Sequence, residues 1–231
     1  MTTVDWNKIT AQLKLPLVRP VHPQGILWVG GGILLFIISV LAAWHISALL
    51  LGLTLLFYVC FRDPARVPPM ADHIAVAPAD GILTNIHHAP WPADMGMEGE
   101  AEILTINPRF YDVHALRAPV PAALTLAQHI SGQWGSNVFD KTAVGNERVI
   151  AVLKLGDGRS IGIEIIGGAA PDRVKLNARG GDVLSLGQPI GYAAFGGEVR
   201  LYVSGGVEVI ARVGQRMIAG ETPIAALQVT L

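Results

Sequence analysis

Between Gly25 and Phe61 the chain carries no Asp, Glu, Lys or Arg, and this constrains its fold more than any other feature. The run exceeds the roughly 20 residues that cross a bilayer as one helix. Polar and aromatic residues interrupt it at Trp44-His45-Ile46-Ser47, so two short helices folded back there fit better than one straight span. Gly30-Gly31-Gly32 would let the two helices approach closely. Lys8, Lys14 and Arg19 precede the run, and Arg62 and Arg66 follow it. The positive-inside tendency then places both ends in the cytoplasm, which a hairpin satisfies and a single span does not. One long tilted span with an interfacial piece is the competing arrangement. The run is too long for the apolar region of a cleavable signal, roughly 7–15 residues. It also absorbs most of the excess in a composition that is 51% hydrophobic and only 15% charged.

Past Val67 the texture changes to short apolar stretches punctuated by glycine and proline. Segments 74–77, 81–86, 148–153, 161–166, 198–203 and 207–213 read as strands. Asp157-Gly158 is a hairpin turn between two of them. Amphipathic helices are scarce; Pro108 to His114 reads as a short helical turn. The expectation is a mainly β domain, part barrel and part sandwich, preceded by a membrane hairpin. Its divisions are a cytoplasmic segment 1–24, a hairpin 25–61 and a β domain 62–231. Cys60 is the only cysteine, so no intrachain disulfide forms. A net charge of −1 gives no argument for nucleic acid.

Several short motifs follow one another in order. They are His22-Pro23-Gln24-Gly25, Phe61-Arg62-Asp63-Pro64-Ala65-Arg66-Val67-Pro68 and Ala77-Pro78-Ala79-Asp80-Gly81. Asp112-Val113-His114 with Arg117-Ala118-Pro119-Val120, then Asn146-Glu147-Arg148, come next. Gly187-Gln188-Pro189-Ile190-Gly191 leads through Phe195-Gly196-Gly197 to Glu198, and Val213-Gly214-Gln215 through Ala219-Gly220-Glu221-Thr222 closes the series. Each is weak alone. In this order they resemble the phosphatidylserine decarboxylase family of short bacterial type, over nearly the whole chain.

In that family the pattern around position 197 reads roughly G-x-x-I-G-x-x-x-F-G-S. The resemblance implies a self-processing reaction in which the serine hydroxyl attacks the preceding peptide carbonyl. Elimination across the serine Cα–Cβ bond then cuts the chain and leaves a pyruvoyl group. Its carbonyl forms a Schiff base with the substrate amine and takes up electrons as CO₂ leaves. Every step needs the β-carbon or β-oxygen of that serine, and Gly197 has neither. Pyruvoyl is therefore the family's cofactor, and none is expected in this chain. Gly135-Ser136 lies in a different part of the pattern, and Ser204 falls seven residues too late. The family commonly has arginines on both sides of F-G-S, whereas Ala194 and Glu198 stand here.

Other site positions are retained. Asp80 matches the family aspartate that pairs with a histidine, and His114 matches that histidine. Imidazole suits such a role because it titrates near neutrality and a carboxylate fixes its tautomer. Each has an ordinary explanation too: Asp80 as a turn residue before Gly81 and His114 as a satisfied, half-buried ring. Arg109 and Arg117 flank His114 and are candidates to hold a lipid phosphate, with solvated surface arginines as the alternative. With Arg62 and Arg66 they would face anionic headgroups. His87-His88 is not expected to hold a metal, because adjacent strand residues point to opposite faces. Lys141, Asn146 and Arg148 read as loop braces.

The favoured function is a membrane-bound decarboxylase homologue of phospholipid metabolism without pyruvoyl chemistry, binding lipid or a partner. The alternatives are an active decarboxylase making phosphatidylethanolamine, and an anchored adaptor with a lipoyl-like β domain. The last rests on the turns at Pro78–Ile82 and Val213–Thr222, which carry no carrier lysine. Expected partners are a phospholipid membrane, phosphatidylserine or a related anionic lipid, and a second copy or a partner enzyme. The expected location is the inner membrane, with the β domain on its cytoplasmic face.

Overall fold

A computed structural model describes residues 20–40, 44–70, 73–132, 146–167, 174–193, 197–204 and 207–227. The chain forms two compact units, Met1–Ala65 and Arg66–Leu231.

In the first unit, a 3₁₀ turn at Pro23–Gly25 leads into α1 (Ile26–Val40), and α2 spans Trp44–Cys60. The helices pack antiparallel. Gly25 lies against Phe61, Gly32 against Thr54, and the Trp28 and Phe57 rings are 5.6 Å apart. Ser39 Oγ donates to Ser47 Oγ at 3.0 Å. The base of the pair is closed by a backbone bond from His22 N to Phe61 O and by the Val21–Arg62 bridge. Two sequence expectations need correction. Trp44–Ser47 is the first turn of α2 and not the reversal itself. Of the three consecutive glycines only Gly32 meets the neighbouring helix; a Cβ on Gly30 or Gly31 would meet nothing within 4 Å. Most other large side chains of both helices are exposed, Leu27 at 86% and Leu49 at 69% among them. The segment Pro23–Val40 is long and apolar enough to cross a membrane, and Trp44–Cys60 is a shorter apolar helix.

The second unit is mainly β. Its largest sheet runs in the order β13-β2-β3-β11-β7-β6-β5-β9, every neighbour antiparallel. The strands are β2 (Gly81–Pro90), β3 (Glu100–Asn107), β5 (Ala122–Ile130), β6 (Arg148–Lys154), β7 (Ser160–Gly167), β9 (Val183–Leu184), β11 (Gly197–Ser204) and β13 (Arg216–Met217). Two three-stranded sheets accompany it among the described residues. One is β1 (Ile74–Val76), β14 (Pro223–Leu227) and β12 (Val207–Val209); the other is β4 (Ala115–Arg117), β10 (Pro189–Ala193) and β8 (Val174–Leu176).

Period-two alternation decides which face each residue covers. Val199, Leu201 and Val203 of β11 join Ile161, Ile163 and Ile165 of β7 in the main core. Tyr202, Ile150 and Val152 point the other way and are capped by Trp91 and Met95 from the segment after β2. Gly162 permits that cap, since a Cβ there would press on Met95 Sδ and Trp91. Beneath it, buried Glu164 accepts from Tyr202 Oη at 2.6 Å, with Arg200 at 3.4 Å and Arg148 at 3.9 Å. Burial and the Glu164 charge push the Tyr202 phenol well above its ordinary pKa.

Pro108–His114 does not continue as a helix. It is one turn, closed by Asp112 N donating to Arg109 O and by Asp112 Oδ2 accepting from Arg109 N.

Candidate functional site

The site assembles around β4. Its neighbour on one side is β10, where Ala193 N donates to His114 O at 2.9 Å. On the other side Arg117 N donates to Pro78 O at 2.9 Å, drawing in the Pro78-Ala79-Asp80 turn. His114 and Asp80 are thus both carried to this strand, 3% and 5% exposed. Gly197 opens β11, just beyond residues 194–196, which lie outside the described residues.

The hydrogen bonds described for Asp80 differ from the pairing that the resemblance implies. Arg66 Nη2 donates to both carboxylate oxygens, at 3.1 and 2.8 Å, and Ala219 N donates to Oδ1 at 2.7 Å. His114 is not among these partners; its ring lies 5.9 Å from that of Tyr192. Burial raises the Asp80 pKa, and the Arg66 charge and the two kinds of hydrogen bond oppose the rise without cancelling it.

The same contacts show how the two turns with a lipoyl-like look are related. Ala219 reaches Asp80, Gly220 N donates to Ala77 O, and Ala77 N donates to Thr222 O. The turns, seen separately in sequence, are one packed unit.

Arg117 is not the solvated surface arginine of the alternative reading. It is 7% exposed, donates from Nη1 to Gly187 O at 3.1 Å, and passes so close to Gly220 that a Cβ there would sit 2.9 Å from its Cδ. It braces two turns. Arg66 bridges Asp80 and Glu221, and Arg62 donates to Val59 O, so both half-buried guanidiniums already hold protein partners. Arg109 is exposed, with its guanidinium on Tyr111.

Gly197 is buried in register with Gly167 of β7. Its φ is +126°, a region that residues with a Cβ rarely adopt. A Cβ built on it would run into the carbonyl oxygen of Ile166. The backbone at this position thus leaves no room for a β-carbon. Glu198 faces the other side of the sheet and pairs with Arg200. Ser204 closes β11 at its far end, opposite Ala101. Ser136 and Lys141 lie outside the described residues.

A family model described as phosphatidylserine decarboxylase matches residues 53–225. Phosphatidylserine decarboxylase proenzymes of Ruegeria pomeroyi and Cereibacter sphaeroides are each 33% identical to the chain. The first alignment covers 91% of this chain and 97% of that relative, the second 92% of each. The proenzyme of Mycobacterium tuberculosis is 34% identical over 90% of both chains. The chain belongs to the phosphatidylserine decarboxylase family. No solved structure matches it.

Several residues support the site through partners that the linear sequence does not reveal. Arg66 is visible in the Phe61–Pro68 motif, but as a flanking charge facing headgroups and not as the partner of Asp80. Asp112 lies beside His114 in Asp112-Val113-His114, and it anchors Arg216 Nη2 at 2.9 Å. Arg148 braces as expected, joining Asp94 at 2.6 Å, while Glu147 of the same motif meets His129 at 2.7 Å. His87 contacts Asn85, and His88 lies 3.9 Å from Glu102, so the adjacent rings have separate partners.

Proposed function

We propose that this family member serves phospholipid metabolism as a membrane-anchored, lipid- or partner-binding homologue that does not form pyruvoyl and does not decarboxylate. The observation carrying this reading is Gly197. The residue has no β-oxygen to attack the preceding carbonyl and no β-carbon across which to eliminate. Its φ and the adjacent Ile166 carbonyl also exclude a side chain in the present backbone.

The exposed apolar surfaces of α1 and α2 support anchoring, since two packed helices of this character suit a bilayer better than water. The basic residues on both flanks favour a cytoplasmic position for both ends. Asp80 and His114 remain the groups of the ancestral acid–base site, held in place by Arg66 and β10. Arg117 acts there as a brace, and Arg109 is the arginine of the original pair that remains open to an anionic headgroup.

Intact-mass measurement and a denaturing gel test the proposal. One species near 24.5 kDa is expected. A C-terminal fragment beginning at or near position 197 with a blocked amino end, together with CO₂ release from phosphatidylserine, would establish the active-enzyme alternative instead.

A further inference from the structure

Two loops leave the same edge of the large sheet. Ile82 of β2 pairs with Asn107 of β3 on one side and with Arg216 of β13 on the other. The turn 108–112 follows Asn107, and the turn 212–215 precedes Arg216. A bond from Arg216 to Asp112 ties the two turns together, and Gly214 N donates to Leu83 O. Their tips are unusually apolar for exposed turns: Phe110 is 49% exposed, Tyr111 48% and Val213 59%. Exposed Arg109 and Arg212 stand beside these tips. The carboxylate in this pair of turns, Asp112, is 1% exposed and turned inward, so the outward charge is positive.

We infer that these turns form a lipid contact of the β unit itself. Phe110, Tyr111 and Val213 enter the boundary between headgroups and acyl chains of an anionic bilayer, and Arg109 and Arg212 lie against its phosphates. The inference rests on the membrane reading above. Aromatic rings with a polar end favour this boundary, and arginines favour an anionic surface. A bilayer also needs no concave receptor, which two projecting tips do not provide. The hairpin ends at Cys60, and the β unit begins at Arg66. So short a connection holds the β unit within reach of any membrane the helices enter.

The test uses the full chain with Cys60→Ala and one new cysteine, Phe110→Cys or Val213→Cys, carrying an environment-sensitive fluorophore. Val183→Cys is the control; it is 80% exposed and sits on β9, at the opposite edge of the sheet. Each protein is reconstituted into phosphatidylcholine vesicles with or without phosphatidylglycerol, and quenching by shallow brominated lipids is read. Labels at 110 and 213 should be quenched in anionic vesicles, and the label at 183 should not. Arg109→Glu with Arg212→Glu should weaken the preference for anionic vesicles by roughly fivefold or more. If the protein floats with vesicles while labels at 110 and 213 are quenched no more than at 183, the loop contact is wrong and the anchor stands. If the protein does not float at all, the membrane reading fails and the loop contact falls with it.

Discussion

Asp80 is held by Arg66 and Ala219 yet buried deeply enough for its pKa to rise. An acid with a raised folded-state pKa favours the fold in its protonated form. Its contribution is complete below the ordinary aspartate value of about 3.9 and is lost as pH rises through the elevated folded value. Wild type should therefore gain stability relative to Asp80→Asn as pH is lowered from neutrality toward that value. Denaturant midpoints of the two proteins at matched pH measure this, and a wild type that loses ground on acidification would contradict it. Gly197 sets a different test. Gly197→Ser should remain largely uncut, and both Gly197→Ser and Gly197→Ala should lose more than about 1 kcal/mol, because a side chain is forced to positive φ. Equal losses would assign the cost to the backbone and not to the hydroxyl. Complete cleavage of Gly197→Ser with rapid CO₂ release would show that the backbone readjusts freely.

At the level of elements, the hairpin has a definite register, read from Gly25–Phe61, Gly32–Thr54 and Ser39–Ser47. Gly32→Leu should overpack the helix pair at a cost of about 1–3 kcal/mol, whereas Gly30→Leu faces open space and should be tolerated. Thermal melts of the full chain in detergent, followed by circular dichroism, distinguish the two; equal effects would reject the register. Three of the longer strands were legible because each carries an apolar pattern long enough to see. β6, β7 and β11 fall within a residue or two of their expected bounds. β2 runs on to Pro90, through polar and histidine residues that hide the pattern, and segment 207–213 shrinks to β12. β4, β8, β9 and β13 have two or three residues each and offer no period at all. β3, β5, β10 and β14 also lie outside the expected strands. β3 pairs with the strand just before it, but through the connection 91–99 with no tight-turn signal, and β5 and β10 pair across longer separations.

For the whole molecule, composition separated the apolar helices from the β unit, and ordered motifs led to the family. Neither source could show which side chain holds which. Asp80 and Asp112 bind arginines 14 and 104 positions away, and only tertiary structure brings those partners in. The same blindness hid the burial of Arg117: a place near a histidine in sequence does not tell that the side chain lies between two glycine turns. The central place of β11 has one more consequence. It fills the gap between β3 and β7, and it follows β10 in one unbroken backbone. A cut just before Gly197 would leave that middle strand on a separate polypeptide, and reassembly after denaturation would require two molecules to meet. In an uncut chain the strand stays covalently joined to the rest of the sheet, so its return is a unimolecular event whose entropy cost does not grow with dilution.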